Sequence, residues 1–188
     1  MKVYQYRDYD HYKEKQIAAN RQKINRVWCS KCTVEHLRKI YPDAKTILCH
    51  GARNGTEVRW FKELYPDAEV IGTDISPTAN DYDDMVEWDF NEVKEEWIGK
   101  FDLIYSNSFD HTYDPKKCLE TWTGQVSENG VLCVELMVDD NNKSTEMDPL
   151  QINQHEFIML LEELSFSKEA LFYVTARNDS RVITSRRR

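Results

Sequence analysis

Residues 47–55 read Ile-Leu-Cys-His-Gly-Ala-Arg-Asn-Gly, a short apolar run that ends in a turn with two glycines. The pattern predicts a buried strand, a glycine turn and then a helix from Thr56 to Tyr65. A second apolar run follows, and Asp74 stands at its end, 19 residues after Gly55. In one half of a nucleotide-binding α/β fold, the glycines let the backbone approach a ligand and the carboxylate accepts the ribose hydroxyls. The stretch therefore predicts a cofactor that contains adenosine, without identifying which one.

Strands and helices alternate along the rest of the chain. Apolar runs between turn residues predict seven strands, over residues 46–50, 69–73, 85–90, 101–106, 131–137, 170–176 and 181–185. Helical patterns cover residues 10–28, 34–41, 56–65, 93–98, 115–126 and 150–164. This order predicts an α/β, Rossmann-like, doubly wound and mostly parallel sheet, preceded by N-terminal helices. The last two strands form a hairpin around Arg177-Asn178-Asp179-Ser180, which places one antiparallel strand in the sheet.

The loops that follow the strands are expected to meet in one crevice. Ligands of such sheets bind outside the C-terminal ends of the strands, at the point where the winding reverses. The loops concerned are residues 49–55, 74–76, 89–91 and 106–111.

The chain has 188 residues, which suits one domain. We expect a helical lid or extension over residues 1–40 and the main domain over residues 41–188. No apolar run approaches the roughly 20 residues of a membrane span, and the start lacks the apolar core of a signal peptide. The five cysteines are an odd number, and three of them lie in or beside apolar runs, as buried thiols of a reducing compartment do. A cytoplasmic location is therefore expected.

The net charge of −8 is unevenly spread. Residues 1–40 carry ten Lys/Arg and four Asp/Glu, whereas residues 41–176 carry ten Lys/Arg and 28 Asp/Glu. Residues 177–188 are basic again, with five Arg and one Asp. The basic ends could contact phosphates or simply complement the acidic body. The overall balance argues against a polyanion-binding protein, so a small-molecule partner is favoured over nucleic acid.

From about residue 45 to residue 188, the chain resembles the class I S-adenosylmethionine-dependent methyltransferases. The first loop of that family usually reads acid-x-Gly-x-Gly-x-Gly, whereas here Cys49 stands at the acid and Arg53 at the second glycine. The form Cys-x-Gly-Ala-Arg-x-Gly-Thr-Glu-Val is similar to the loop of a bacterial subgroup. Residues 101–111, Phe-Asp-Leu-Ile-Tyr-Ser-Asn-Ser-Phe-Asp-His, resemble the family's fourth strand and the loop after it. Glu128-Asn129-Gly130 is similar to the turn before the family's fifth strand.

The resemblance implies S-adenosylmethionine as the cofactor and places its binding residues in four loops. These residues are His50, Gly51, Ala52, Arg53, Gly55, Asp74, Ile75, Asp89, Phe90, Asn107 and Ser108. Asp74 would accept the ribose hydroxyls, and Ile75 would pack on the adenine. Asp89 would accept the adenine amino group, with Phe90 beside the ring. Both aspartates could instead cap ordinary turns.

The methionine end of the cofactor is less well defined by the resemblance. The backbone of residues 50–52 would line it, and residues 107–108 would form the floor of the methyl-transfer site. The thiol of Cys49 cannot orient an ammonium group as the family's acid does, so Glu57 or a water molecule would have to replace that acid. Arg53 could bind the cofactor carboxylate in a bidentate manner or pair with Glu57 across one helical turn.

Asp110 and His111 are the candidate catalytic residues, because they follow the fourth strand and face the expected crevice. Methyl transfer is an in-line displacement at an activated carbon, so alignment can supply most of the rate. A base is needed only where the acceptor must lose a proton. A structural position beside the cofactor is the alternative for both residues.

The Cys29-Ser30-Lys31-Cys32 segment resembles a redox motif or half of a zinc site. It follows a helical pattern rather than a strand, and a second cysteine pair is missing. No metal site is therefore expected, and a junction between two helices is favoured.

The hypothesis from the sequence is a methyltransferase that acts on an oxygen or nitrogen of a small polar acceptor of sugar or metabolite type. Acceptor specificity would lie in residues 1–40 and in the polar loop over residues 138–150. One alternative is a nucleic-acid methyltransferase. The Asn/Asp-Pro-Pro-aromatic tetrad of such enzymes is here Asn107-Ser108-Phe109-Asp110, without either proline. The other alternative is a non-catalytic module that binds S-adenosylmethionine or a protein partner. The sequence leaves the oligomeric state open.

Overall fold

The structure is a computed structural model that describes residues 1–137, 143–173 and 180–188. The strands are β1 Lys2–Val3, β2 Thr46–His50, β3 Glu69–Asp74, β4 Met85–Glu87, β5 Phe101–Ser106, β6 Val126–Met137, β7 Leu150–Gln151, β8 Phe166–Tyr173 and β9 Ser180–Arg187. The α-helices are α1 Tyr9–Gln22, α2 Lys31–Ile40, α3 Thr56–Leu64, α4 Pro115–Gln125 and α5 Gln154–Glu163. Short 3₁₀ turns cover Pro77–Asp81, Glu95–Trp97 and Phe109–His111.

Seven strands form one sheet in the order β4-β3-β2-β5-β6-β9-β8. The pairs from β4 to β6 are parallel, and β9 is antiparallel to both of its neighbours. This confirms the predicted Rossmann-like sheet with one antiparallel strand. The chain runs outward from β2 to β4 and then returns to β5, so the winding reverses between β2 and β5. That reversal places the crevice at the C-terminal ends of these two strands.

The hydrophobic core has two layers, one on each face of the sheet. Successive side chains of a strand point to opposite faces, and in β2 Ile47 and Cys49 face one layer while Leu48 faces the other. The first layer contains residues of α2 and α3, and the second contains Trp122 of α4 and Phe157 of α5. The helices therefore cover both faces, as the alternating pattern predicts.

The N-terminal helices differ from their predicted bounds. Helix α1 begins after Asp8, whose side chain accepts a hydrogen bond from the backbone of His11, and it ends at Gln22. Helix α2 begins after Ser30 rather than after Thr33, which was the predicted cap. Cys29 and Ser30 thus form the junction that leads into α2, whereas Lys31 and Cys32 lie in its first turn, and all five cysteines are free thiols.

The predicted helix over residues 150–164 begins only at Gln154. Asn153 and Glu156 form a capping box there, which satisfies the first backbone donors of α5. Leu150 and Gln151 are extended instead, and they pair with Lys2 and Val3 as a small two-stranded sheet. This second sheet attaches the N-terminus of the chain to the main domain.

The closing hairpin is longer than predicted. Strand β8 begins at Phe166, and β9 continues to Arg187, which pairs with Phe166. The predicted strand end at residues 174–176 and residues 177–179 of the predicted turn lie outside the described residues, as do residues 138–142 of the predicted specificity loop. Within the described parts of the chain, none of the helices combines the length and the apolar character needed to cross a membrane.

Candidate functional site

The crevice at the sheet reversal contains two adjoining cavities. The inner cavity, of about 40 Å³, lies between α1 and the ends of β2, β3 and β5. The outer cavity, of about 260 Å³, lies over the end of β6. Gly51, Arg53, Ser108 and His111 line both cavities. A ligand that fills the inner cavity would therefore continue into the outer one past the glycine turn.

The glycine turn has the geometry that its sequence predicts. Gly51 and Gly55 have φ values of +69° and +67°, which glycine adopts without a Cβ penalty. A Cβ at Gly51 would lie 2.5 Å from the Cβ of Ser108, so the loops after β2 and β5 touch at this point. Gly55 begins α3, and the backbone amide of Ala52 donates to Thr73 at 2.8 Å. The turn is therefore held against the ends of β3 and β5.

Asp74 ends β3 and lines the inner cavity, as predicted. Its carboxylate accepts hydrogen bonds from the backbone amides of Ser76 at 2.9 Å and Arg53 at 3.2 Å. Burial raises the pKa of Asp74, and the amide of Ser76, the side chain of Asn20 and the charge of Arg53 oppose this rise. Each carboxylate oxygen keeps a lone pair for a hydroxyl donor. The adjacent Ile75 lines the same cavity.

Asp89 and Phe90 lie on the opposite side of the inner cavity. One oxygen of Asp89 accepts hydrogen bonds from the backbone and side-chain amides of Asn91, at 2.9 and 2.8 Å. The other oxygen accepts a hydrogen bond of 2.9 Å from the hydroxyl of Tyr9. Burial raises the pKa of Asp89, and these donors oppose the rise. The carboxylate is therefore oriented into the cavity but already has a partner on the N-terminal helix.

Three of the predicted cofactor-binding residues lie behind the cavity walls. Ala52 and Gly55 are buried in the turn without lining either cavity. His50 is 1% exposed, stacks on Trp122, and has both ring nitrogens within hydrogen-bond distance of Thr73 and Gln125. Burial lowers the pKa of His50 to about 4, so its ring is neutral and structural near pH 7.

Within the described residues, Arg53 does not form an ion pair with Glu57, and its guanidinium has other partners. Its guanidinium lies 4.9 Å from the ring centroid of Trp28, a cation–π arrangement, and its Nη1 donates to the carbonyl of Arg26 at 3.1 Å. Of the two alternatives for Arg53, the ion pair with Glu57 is therefore not found among the described residues, and binding of the cofactor carboxylate stays a prediction. The backbone of Arg53 is left-handed, with φ +44°.

The two candidate catalytic residues and the predicted floor of the site line the outer cavity. Asn107, Ser108, Asp110 and His111 all lie there. Burial raises the pKa of Asp110. The Nδ1 of His111 is 2.9 Å from the Oε1 of Gln16 in α1, which orients the ring.

Asp148 lies against the same histidine, with its Oδ1 3.6 Å from the Nε2 of His111. One ligand atom each from Asp110, His111 and Asp148 lies within 4.8 Å of the others, a spacing that a divalent cation could bridge. Asp148 already has Lys23 as a second cationic neighbour, at 3.5 Å.

The sequence analysis missed the contribution of α1 to the site. Tyr12, Gln16 and Asn20 line the inner cavity from one face of this helix. Asn20 is 5% exposed, accepts a hydrogen bond from Thr78, and its Nδ2 donor has no hydrogen-bond partner among the described residues. The only signal in the sequence is the spacing of these polar residues at four-residue intervals, which puts them on one side of a helix.

Two buried carboxyl groups line the outer cavity: Glu57, which the sequence analysis named as a possible replacement for the acid absent at Cys49, and Glu135, which it did not assign to the site. Glu57 lies in the first turn of α3 and is 6% exposed. Glu135 lies in β6 and accepts a hydrogen bond of 2.8 Å from the hydroxyl of Tyr105. The burial of Glu57 could not be read from its charge, because a first-turn glutamate is ordinarily exposed.

Comparison with known proteins shows the fold. No protein-family model matches this sequence, and no curated protein matches it. Among solved structures, a 1,6-didemethyltoxoflavin-N1-methyltransferase of Burkholderia thailandensis is 15% identical, with a TM-score of 0.75 over 95% of this chain and 88% of that one. It contains bound 1,6-didemethyltoxoflavin and S-adenosylhomocysteine.

Two further structures cover nearly the whole of both chains. A putative methyltransferase of Haloferax volcanii, in complex with the Trm112 activator, is 14% identical, with a TM-score of 0.70 over 96% of this chain and 98% of that one. A TehB-like S-adenosylmethionine-dependent methyltransferase of Corynebacterium glutamicum is 15% identical, with a TM-score of 0.65 over 95% and 100%. The chain thus has the Rossmann-like fold of these methyltransferases.

Proposed function

We propose that this protein is an S-adenosylmethionine-dependent methyltransferase that acts on an oxygen or nitrogen of a small polar acceptor. One observation carries the proposal: the glycine turn, Asp74 and Asp89 surround a single cavity at the point where the sheet winding reverses. A carboxylate for ribose hydroxyls, a second carboxylate for an amino group and an apolar surface between them suit an adenosine. Bound S-adenosylhomocysteine in a structure of the same fold supports this assignment.

We further propose that α1 is a lid over the cofactor, as the sequence predicts for residues 1–40. The inner cavity of about 40 Å³ is far smaller than the roughly 300–1,000 Å³ of ordinary ligand sites. Tyr12, Gln16 and Asn20 occupy the space on the α1 side. The adenosine would therefore enter only when α1 moves away from the ends of β3 and β5.

The outer cavity is where we place the acceptor and the transferred methyl group. Asn107 and Ser108 form part of its wall, beside Gly51. Transfer to an amine that is already neutral would need only alignment with the sulfonium carbon. Transfer to a hydroxyl would need a base, and Asp110 or His111 would accept that proton. The small volume favours a metabolite-sized acceptor.

Calorimetric titration with S-adenosylmethionine and S-adenosylhomocysteine tests the proposal. We expect micromolar binding by the wild-type protein and at least about tenfold weaker binding by Asp74→Ala, because a hydrogen bond to a charged group is lost. Asp67→Ala is the matched control, since Asp67 is exposed in the turn before β3. Folded wild-type protein that binds neither ligand would contradict the proposal.

A further inference from the structure

The end of β2 lacks the acid that the methionine part of such a cofactor would need. Cys49 occupies that position, and its side chain is 1% exposed within the core layer under α3. Burial holds the pKa of this thiol well above its ordinary value, so Cys49 carries no charge. An ammonium group bound near the glycine turn must therefore find an anion on another element.

Glu57 is a carboxyl group of suitable position. It lies two residues after Gly55, in the first turn of α3, and it lines the outer cavity together with Gly51 and Ser108. It is only 6% exposed, and its carboxylate accepts a hydrogen bond from its own backbone amide but forms no ion pair with another side chain in the described ranges. A polar group that is buried to this extent ordinarily has a partner. Because Glu57 lines the outer cavity, its carboxyl group remains accessible to a ligand there.

The charged and titratable groups around Glu57 do not neutralise it. They are Cys29, Cys49, Arg53, Arg59, Tyr105 and Glu135. The two arginines attract the carboxylate from a distance, but Arg53 stacks on Trp28, and Arg59 donates to the carbonyl of Asn54 and the hydroxyl of Thr56. Burial, with the charge of Glu135, raises the pKa of Glu57 to about 7. A cationic group in the cavity would reverse this effect.

We propose that Glu57 binds the primary ammonium group at the methionine end of the cofactor, in place of the acid that is absent at Cys49. The inference rests on the proposed function. A cofactor with its ribose on Asp74 would pass Gly51 and Ser108, which line both cavities, and its amino-acid end would then lie beside Glu57. Glu57 is thus a specificity-determining residue for ligands that carry a cation there.

Titration with two ligands that differ at this end tests the assignment. S-adenosylhomocysteine carries the ammonium group, whereas 5′-methylthioadenosine keeps the adenosine and lacks the amino-acid part. We expect Glu57→Gln to weaken S-adenosylhomocysteine binding by about tenfold or more and to leave 5′-methylthioadenosine within about twofold. Glu63→Gln is the matched control, because Glu63 lies on the same helix, is exposed and pairs with Lys31. It should bind both ligands like the wild type.

The outcomes separate this inference from the proposed function. Wild-type protein that binds neither ligand contradicts the proposed function. Wild-type protein that binds S-adenosylhomocysteine, with equal affinity in folded Glu57→Gln, overturns the role of Glu57 alone.

Proton release provides a second test that needs no variant. A carboxyl with a pKa of about 7 is half protonated at pH 7, and a bound cation would ionise it. Calorimetry in buffers of different ionisation enthalpy should show about half a proton released per S-adenosylhomocysteine bound at pH 7. It should show no such release for 5′-methylthioadenosine. Equal release with the two ligands would overturn the inference, since the adenosine part alone would then account for it.

Discussion

Gly51 and Gly99 have nearly the same backbone conformation but very different surroundings. Their φ values are +69° and +63°. A Cβ at Gly51 would lie 2.5 Å from the Cβ and 2.6 Å from the Oγ of Ser108, whereas nothing lies within 4 Å of a Cβ at Gly99. The glycine in the turn therefore provides two things at once, a left-handed residue and the close approach of the loops after β2 and β5.

Alanine substitutions at Gly51 and Gly99 separate these two roles. We expect Gly99→Ala to lower the free energy of unfolding by about 1 kcal/mol, the cost of a left-handed alanine. Gly51→Ala should lower it by about 2–4 kcal/mol, because overpacking against Ser108 adds to that cost. Urea unfolding of both variants measures the difference, and S-adenosylhomocysteine binding should weaken in Gly51→Ala only. Equal destabilisation would mean that Ser108 moves away without cost.

At the scale of single residues, the sequence predicts well the positions of side chains that lie at the ends of strands. Asp74 and Asp89 could be placed in the crevice because a polar residue at or just beyond the end of a parallel strand lies at the C-terminal edge of the sheet. Glu57 was named only as one possible replacement for the acid at Cys49, and its burial could not be derived in this way. It lies beside Glu135 in one cavity wall, although the two residues are distant in sequence, and that arrangement leaves no local pattern.

Helix α1 is held over the crevice mainly by polar contacts. Tyr9 donates to Asp89 at 2.9 Å, and the hydroxyl of Tyr12 lies 3.0 Å from the Nδ2 of Asn91 and 3.3 Å from the carbonyl of His111. The outward side of the helix is charged, and only Tyr12, Gln16, Ala19 and Asn20 are buried. An element with so little buried apolar surface is easily displaced, which suits a lid.

Tyr9 competes with the proposed adenine contact, and this gives a prediction for the lid. Removing the hydroxyl in Tyr9→Phe frees one oxygen of Asp89 for the ligand. We expect S-adenosylhomocysteine to bind about three- to tenfold more tightly, since the lost hydrogen bond is made to a charged group. Titration calorimetry measures the change.

Tyr4→Phe is the control for this effect, because the hydroxyl of Tyr4 donates to Glu146 at 3.2 Å and not to Asp89. It should leave the affinity unchanged. Weaker binding by Tyr9→Phe would contradict the prediction and would mean that Tyr9 orders Asp89 for the ligand.

At the scale of elements, strands were predicted more closely than the N-terminal region. Residues 46–50 and 101–106 have the predicted bounds because their apolar character on both faces is typical of central parallel strands. The strand at residues 150–151 was not predicted, since two residues carry no periodicity. Its partner is at residues 2–3, so the pairing depends on the whole chain having folded.

At the scale of the whole molecule, His50 on a strand and Glu57 on a helix are buried groups whose pKa shifts oppose each other. Burial lowers the pKa of His50 from 6.5 to about 4 and raises that of Glu57 from 4.5 to about 7. Between pH 4.5 and 6.5 the unfolded chain protonates His50 and the folded chain does not, so this group alone makes stability fall as the pH falls. Over the same range the folded chain keeps a proton on Glu57 and the unfolded chain does not, so this group alone makes stability rise as the pH falls.

The contributions of His50 and Glu57 to the pH dependence of stability nearly cancel in the wild-type protein. In Glu57→Gln, the contribution of His50 should remain alone and become measurable. A difference of one bound proton between the folded and unfolded chains changes the free energy of unfolding by about 1.4 kcal/mol per pH unit. Relative to the wild type, we expect Glu57→Gln to lose about that much extra stability for each unit of acidification between pH 6.5 and 4.5, and to keep a constant offset above pH 7.5 or so. Urea unfolding at several pH values measures how the free energy of unfolding depends on pH in the wild type and in Glu57→Gln. Glu63→Gln is the control and should follow the wild type. Parallel profiles for Glu57→Gln and the wild type would mean that Glu57 is ionised in the folded protein without a ligand, because a carboxyl with an ordinary pKa contributes no slope in this range.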